Sequence, residues 1–375
     1  MLRSKQFGGV VIVIIVILLI AYAAWQGTAE PAETGPIKLG VSMPLTGEAA
    51  SLGIAAMAGI NTALKEINQA GGVNGRLIQL VVEDDKCSKD GSTTINKLIN
   101  FDKVVALIGP LCSAAAGPGL PIAQREKVPT IFFGSAPALT KLGDYLFRTY
   151  PSDSMQGAFA ADFIFNQLKK TKVAVLYVKN DWGQGLHDVF AERFQQLGGE
   201  IVYDDSFLAD AKDLRTVVLK TKAADPEVIY FPAYPAVAAV GLRQMKEIGI
   251  AVPIIGGDAF SADEIIQNSA AEGALFTMAV IKNPADFVEK VKAVAGEDVN
   301  LNWMAPLGYD ALNIFAEVIA RVGTDKQAMR DALAGLTYEK GIASEKIEFD
   351  QNGDLKEAAF EVREIKDKEA VLWSE

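Results

Sequence analysis

Short runs rich in β-branched residues alternate with longer amphipathic stretches from Ile37 onward. Within residues 54–70, for example, Ile60, Ala63 and Ile67 recur at the i, i+3, i+7 spacing of one helix face. Parallel neighbouring strands need long crossover connections, which helices usually provide. The alternation therefore predicts parallel sheets with helices packed on both faces.

The predicted strands are short and rich in valine and isoleucine. They span residues 37–43, 77–83, 104–108, 130–133, 172–178, 200–203, 228–231 and 253–255. The strand–helix pattern begins afresh after Tyr150 and Pro151. Helical periodicity then returns after residues 276–281 and gives way to short strands and a charged tail, residues 361–375. This order predicts two lobes between which the chain crosses several times.

We therefore predict an α/β fold of two doubly wound, Rossmann-like lobes joined by a multi-crossing hinge. The expected parts are a signal peptide or N-terminal membrane anchor plus linker in residues 1–35, an N-lobe of residues 36–152 and 282–349, and a C-lobe of residues 153–281 and 350–375.

The N-terminus carries an unbroken apolar run, residues 10–24, preceded by Arg3 and Lys5. A positive start, an apolar stretch and then small residues are typical of an export signal. A membrane-spanning helix needs about 20 apolar residues, and residues 7–25 approach that length only if two glycines are counted. A cleaved signal peptide and an uncleaved anchor both fit. In either case the chain from about residue 36 is expected outside the cytoplasmic membrane.

Charge and the scarcity of metal ligands exclude several function classes. The 36 Lys and Arg against 47 Asp and Glu give a net charge of −11, which disfavours nucleic acid or an anionic membrane surface as partner. One histidine and two cysteines cannot build the usual zinc sites. The single histidine, His187, falls on a predicted helix and is expected to be exposed. Without a nucleophile motif, an enzyme is disfavoured and no cofactor is predicted.

Cys87 and Cys112 are both predicted in loops that follow strands. An oxidising compartment outside the cytoplasmic membrane would allow them to form a disulfide. The alternative is a pair of buried free thiols.

Hydroxyl groups follow two strands of the first half. In open α/β sheets, the ligand crevice lies at the carboxyl ends of the strands. Ser113 follows Leu111 after one strand and begins a predicted helix, while Ser135 and Ala136 lie in a small-residue loop after the next. A hydroxyl beside the amides of a helix start predicts a carboxylate or phosphate site. The alternative for Ser113 is a simple helix cap.

In the second half of the chain, aromatic and acidic side chains follow the predicted strands. Trp182, Tyr234 and Asp258 each follow a predicted strand. Such aromatics also occur in ordinary interface packing, and Asp258 also fits a helix N-cap. Hydroxyls on one lobe that face a carboxylate and aromatics on the other would suit a small zwitterion with an apolar side chain.

Short motifs occur in a fixed order over most of the chain. They are MPLTG at 43–47, AGGVNG at 70–75, EDDKC at 83–87, IGPLCS at 108–113, FRT at 147–149, WGQG at 182–185 and DQNGDL at 350–355. In this order they resemble the type I periplasmic binding proteins, specifically the leucine/isoleucine/valine-binding receptors of ABC importers.

The resemblance implies roles for individual residues. Ser113 and nearby amides, with further donors from the loop of Ser135 and Ala136, would hold the ligand carboxylate. Asp258 would hold the ammonium, Trp182 and Tyr234 would close over the ligand, and a disulfide would join the two cysteine loops. The chain departs from the family pattern at three positions. The family often has glutamate at the position of Asp258, tyrosine at that of Trp182 and an aromatic residue near Leu52.

The function implied is that of an exported, monomeric solute-binding protein. It would bind a branched-chain or related amino acid between two closing lobes and deliver it to a membrane permease. The alternatives are an amide, a urea-like compound or an aromatic carboxylate as ligand, a ligand-sensing ectodomain, and a hydrolase that uses Ser113.

Overall fold

The computed structural model describes residues 35–299 and 301–374. Two β-sheets flanked by helices confirm the predicted two-lobe α/β fold. Across these described ranges, no helix combines the length and apolar character that a bilayer crossing requires. The apolar run at 10–24 lies outside the described residues, so the signal peptide or anchor stays a prediction. The lobe boundaries also stay a prediction.

The first sheet is entirely parallel, with strand order β2-β1-β3-β4-β5. Its strands are β1 Ile37–Met43, β2 Ile78–Asp84, β3 Ala106–Ile108, β4 Thr130–Phe132 and β5 Leu146–Arg148. Ile37 pairs with Ile78, and Leu39 pairs with Ala106 on the other side of β1. The order changes direction between β1 and β3, which creates a crevice at the carboxyl ends of these strands.

The second sheet repeats this order and adds two antiparallel strands, giving β14-β13-β10-β9-β8-β6-β7. Its strands are β6 Lys172–Val178, β7 Glu200–Phe207, β8 Val228–Tyr230, β9 Ile254–Gly256, β10 Leu275–Ala279, β13 Phe360–Lys366 and β14 Glu369–Leu372. A separate small hairpin pairs β11 Thr337–Tyr338 with β12 Ile347–Glu348.

Helices cover both sheets. They are α1 Ala50–Gln69, α2 Gly91–Asn100, α3 Ser113–Arg125, α4 Asp153–Asp162, α5 Asp181–Gln196, α6 Arg215–Ala223, α7 Pro235–Ile248, α8 Asp263–Ile266, α9 Ala285–Ala295, α10 Met304–Val322 and α11 Lys326–Ala334. Two 3₁₀ turns, Leu139–Leu142 and Asp258–Ser261, and a π-helical turn, Phe163–Gln167, complete the described helical structure.

After β10 the chain returns to the first lobe, where both α9 and α10 pack on α1. The contact between α10 and α1 is the more extensive. The two helices approach so closely that a Cβ atom on Gly59 would lie 1.8 Å from the Ala305 carbonyl oxygen. Glycine is therefore required at this crossing. Farther along α10, the buried Asp310 carboxylate accepts hydrogen bonds from the backbone N–H groups of Ile342 and Ala343, which ties the next chain crossing to the helix.

The structure differs from the sequence prediction in three places. The segment predicted as a charged tail forms β13 and β14, and Val362 and Ile365 of β13 are buried in two different core clusters. Strand β5 was not predicted, because its 3 residues, Leu146–Arg148, are too few to show a periodic pattern. The prediction of an exposed His187 is wrong, because its side chain is only 13% exposed and its ring stacks on Tyr177.

Candidate ligand-binding site

A cavity of about 30 Å³ lies between the two lobes at the strand ends. It is lined by Leu52, Leu111, Cys112, Ser113, Phe133, Ser135, Tyr150, Trp182, Tyr234, Asp258, Ala259, Trp303 and Met304. The structure thus brings together six of the seven residues predicted for the site. Ala136 is not among the lining residues and contributes a backbone contact described below. Side chains from separate strand ends meet here because parallel strands of one sheet end at the same edge.

Ser113 is the first residue of α3 and is buried. Its Oγ accepts a hydrogen bond from the backbone N–H of Ala136 at 3.0 Å. This contact links the loop after β3 to the loop after β4. Because a hydroxyl both donates and accepts, Ser113 keeps its own proton available for an acceptor in the cavity.

Asp258 lies directly after β9, where it starts a 3₁₀ turn behind Gly257. Its Oδ2 accepts a hydrogen bond from the Tyr150 hydroxyl at 2.6 Å, and its Oδ1 accepts one from the Ala259 N–H at 2.8 Å. Burial raises the pKa of Asp258 to about 6, against the opposing effect of these donors. Near neutral pH this carboxyl is therefore mostly ionised and suited to a cation.

Two stacked aromatic pairs form walls of the cavity. Trp182, in the first turn of α5, stacks on Tyr234 with ring centroids 4.7 Å apart and planes 15° apart. Tyr150 stacks on Trp303 at 4.6 Å and 27°. Such stacks hold flat apolar surfaces in fixed orientations, which an apolar ligand side chain can contact.

Sequence reasoning missed Tyr150 and Trp303 as site residues. Tyr150 lies between β5 of the first sheet and α4, and Trp303 immediately precedes α10, which packs on α1. Tyr150 follows β5, a strand that the sequence pattern did not predict, and Trp303 precedes a helix rather than following a strand. The aromatic side chain of Tyr150 next to a predicted lobe boundary was the one available signal, and Trp303 lies at none of these boundaries.

A second acid, Asp153, is fully buried at the start of α4. Burial and the nearby charge of Asp258 hold the pKa of Asp153 well above its ordinary value, and the Ser135 hydroxyl and the Arg148 guanidinium oppose this shift. Asp153 was not among the predicted site residues.

The two cysteines form a disulfide, with Cα atoms 5.2 Å apart. Cys87 follows β2 and Cys112 follows β3, so the bridge joins two loops at the same sheet edge. Nearby, the buried carboxylate of Asp85 accepts hydrogen bonds from the Ser42 hydroxyl and the Cys87 N–H. These contacts hold the loop that carries Leu111 and Ser113 beside the cavity.

The site offers binding groups rather than a nucleophile with its base. In the part of the chain that the structure describes, Ser113 Oγ accepts its hydrogen bond from the Ala136 N–H, not from a side-chain base. The His187 ring lies instead on α5 between the carboxylates of Asp188 and Asp204. A serine nucleophile needs a base within hydrogen-bond reach, so the geometry favours reversible binding.

Comparisons with known proteins agree with this geometry. Residues 36–369 match the family model described as periplasmic binding protein. A leucine-, isoleucine-, valine-, threonine- and alanine-binding protein of Pseudomonas aeruginosa is 31% identical over 92% of this chain and 93% of its own length.

Two solved structures share the fold. A leucine-binding protein from Thermotoga maritima superposes with a TM-score of 0.83 at 27% identity, over 90% of this chain and 98% of that one. A branched-chain amino acid transporter substrate-binding protein from Streptococcus pneumoniae, in complex with isoleucine, gives a TM-score of 0.81 at 26% identity, over 89% and 97%. With the family model spanning nearly the whole described chain, this protein belongs to the periplasmic binding protein family, which is a family of solute-binding proteins and not of enzymes.

Proposed function

We propose that this protein is the extracytoplasmic solute-binding component of an ABC importer and takes a branched-chain or related amino acid as its ligand. One observation carries the proposal. A buried carboxylate, Asp258, and a buried hydroxyl at a helix start, Ser113, line the same cavity from opposite lobes. An amino acid carries the complementary ammonium and carboxylate on one carbon atom. The similarity to amino acid-binding relatives supports the same class of ligand.

Each end of the ligand would meet a different lobe. Ser113, with Ser135 and the loop amides, would donate hydrogen bonds to the ligand carboxylate, and Asp258 would accept from the ammonium. Leu111, Trp182 and Tyr234 would surround the apolar side chain. Ala136 would act through its backbone contact with Ser113.

Ligand binding would favour lobe closure because only the closed form offers both sets of contacts at once. The lobes would comprise residues 36–152 with 282–349, and residues 153–281 with 350–375. An ion pair between Glu48, after β1, and Lys212, after β7, spans the two lobes with Nζ 2.8 Å from Oε1. The closed protein, as a monomer, would dock on the membrane permease and release its ligand unchanged.

The family assignment supports an extracytoplasmic location. Residues 7–25 would either direct export and be removed or hold the protein at the cytoplasmic membrane. Mass spectrometry of the mature protein isolated from cells decides between these fates, because removal of the run lowers the mass by that of the leader.

A ligand panel tests the function directly. Isothermal titration calorimetry with leucine, isoleucine, valine, leucinamide, urea and benzoate is expected to give tight binding for at least one of the three amino acids. Leucinamide lacks the carboxylate and is expected to bind much more weakly. Absence of binding to all three amino acids would contradict the proposal.

An aromatic carboxylate is the second candidate ligand. The two stacked pairs, Trp182 with Tyr234 and Tyr150 with Trp303, favour it because they line the cavity with flat rings. Asp258 argues against it, since an ionised acid beside a ligand without a cation is unfavourable. Tight binding of benzoate in the same panel, with no binding of amino acids, would establish this alternative.

A further inference from the structure

We propose that Arg148 positions the carboxylate-binding loop and thereby sets the preference of the site for a ligand carboxylate. This inference rests on the proposed function, because it concerns how that same site holds one end of its ligand. Arg148 is the last residue of β5 and is fully buried, yet it does not line the cavity. It is therefore a positioning residue that acts through the loop of Gly134, Ser135 and Ala136.

The guanidinium of Arg148 holds two carbonyl groups of this loop. Its Nη1 donates to the Gly134 oxygen at 3.2 Å and to the Ala136 oxygen at 2.9 Å. In a trans peptide unit, the C=O and the following N–H point in opposite directions. With the Gly134 oxygen turned toward Arg148, the Ser135 N–H is directed away from the guanidinium. We infer that this N–H faces the ligand carboxylate, since Ser135 lines the cavity.

The other side of the guanidinium is fixed by Asp354. Arg148 Nε lies 2.6 Å and Nη2 lies 2.5 Å from Asp354 Oδ1. Asp354 Oδ2 accepts a further hydrogen bond from the Thr140 hydroxyl at 2.9 Å. A planar guanidinium held on both sides has little freedom to turn, so its remaining donors present a fixed geometry to the loop.

The turn that carries Asp354 is itself docked on β5. The Arg148 backbone N–H donates to the Gly353 oxygen at 2.8 Å. Gly353 has φ of +81°, and a Cβ atom there would lie 2.1 Å from the Leu146 oxygen, so glycine is required. The motif at 350–355, which the sequence singled out without a role, thus places a carboxylate against the buried arginine.

A continuous set of contacts therefore runs from this turn to the site. Asp354 holds Arg148, Arg148 holds the Ala136 carbonyl, and the Ala136 N–H donates to Ser113 Oγ. Both polar groups of the Ala136 backbone are engaged, one on each side. Loss of the arginine fork would take the side-chain donor from the Gly134 carbonyl and leave the Ala136 carbonyl only its hydrogen bond from the Leu139 N–H, which would let the loop turn.

The test compares Arg148→Lys with the wild-type protein. Lysine keeps the positive charge but lacks the planar fork whose separate nitrogens reach the acid and the two carbonyls in fixed directions. Leucine affinity is expected to fall roughly ten- to a hundredfold, while leucinamide affinity changes about twofold or less. The ratio of the two affinities, measured by calorimetry, should therefore collapse. A merely structural role would weaken both ligands alike.

Arg193→Lys is the matched control. Arg193 Nη2 forms a partly exposed ion pair with Asp162 Oδ1 at 2.7 Å, and neither residue lines the cavity. Its leucine-to-leucinamide ratio should equal that of the wild type. If the wild type prefers benzoate, the same comparison is made with benzoate and benzamide. An unchanged ratio in a folded Arg148→Lys protein would overturn the inference.

A measurement without ligand separates this inference from the proposed function. Amide hydrogen exchange of the Ala136 N–H is expected to become at least about tenfold faster in Arg148→Lys. The Gly109 N–H, which donates to Ile131 within the sheet, serves as internal reference. If Arg148→Lys does not fold, Asp354→Asn provides the same readouts with smaller changes. Unchanged Ala136 exchange in either folded variant would contradict the positioning role, whatever ligand the protein takes.

Discussion

The Tyr150 hydroxyl donates a hydrogen bond of 2.6 Å to Asp258 Oδ2, joining the first chain crossing to a strand end of the second sheet. Tyr150 is also stacked on Trp303, which precedes α10. The acid proposed to hold the ligand ammonium is thus oriented by the hinge rather than by its own lobe alone. Lobe closure and the placement of the acid are expected to be coupled for this reason.

Replacement of Asp258 by Asn is expected to weaken amino acid binding by about 2–5 kcal/mol. The ligand ammonium would then be desolvated in the closed cleft without an opposite charge. Calorimetry with leucine measures the loss. Asp263→Asn is the control, because Asp263 is an exposed acid close by in the chain, and it should bind like the wild type. Equal affinity in Asp258→Asn would exclude this acid as the ammonium partner.

Leucine affinity is expected to depend on pH through Asp258. The pKa of this group is about 6 in the unliganded protein, and the ammonium binds the ionised form. Affinity should therefore rise as pH increases toward about 6 and level off above it. Calorimetry at roughly pH 4.5 to 8 should show this rise in leucine affinity for the wild type. The same measurement on Asp258→Asn should show no rise.

The contribution of Asp258 to the stability of the unliganded protein should fall as pH rises, whereas leucine affinity should rise. The folded-state pKa of Asp258 lies above the ordinary value of 3.8, so the folded protein binds this proton more tightly than the unfolded chain does. Its stabilising contribution is present below about pH 4 and is lost as pH rises through about 6. The difference in free energy of unfolding between wild type and Asp258→Asn isolates this contribution from other acids. A difference that does not vary with pH would contradict the assigned pKa.

Replacement of Ser113 by Ala is expected to reduce leucine affinity by about 1–3 kcal/mol. The variant loses the donor proposed for the ligand carboxylate and leaves the Ala136 N–H without its acceptor. Ser92→Ala provides the comparison, since its hydroxyl bonds to the Lys89 carbonyl at the exposed start of α2. Calorimetry should show a loss only for Ser113→Ala, and wild-type affinity there would remove Ser113 from the site.

Removal of the disulfide by the double change Cys87→Ala and Cys112→Ala should lower the free energy of unfolding by about 2–4 kcal/mol. The bridge closes a loop with a sequence separation of 25, which restricts the unfolded chain. Urea denaturation of the variant is compared with that of wild type with and without reductant. The reduced wild type should match the variant, and no difference between oxidised and reduced wild type would be inconsistent with a stabilising bridge.

Local pattern predicted most of the fold. Strands β1 and β6 have the predicted bounds, because long runs rich in apolar and β-branched residues are a clear sequence signal of a buried strand. Prediction was weaker for β5, which contains too few residues for a period, and for β13 and β14, whose charged residues concealed the strands. The seven predicted site residues came from strand ends and from family resemblance.

The sequence by itself determined the alternation of strands and helices, the presence of two lobes and the motifs of the family. Only the tertiary structure decided that Tyr150 contacts Asp258 and that Arg148 joins the turn of Asp354 to the loop of Ser135 and Ala136. The physical reason is the range of the interactions. Periodicity reports which face of each element is buried, whereas these contacts depend on where the chain crossings bring distant segments together.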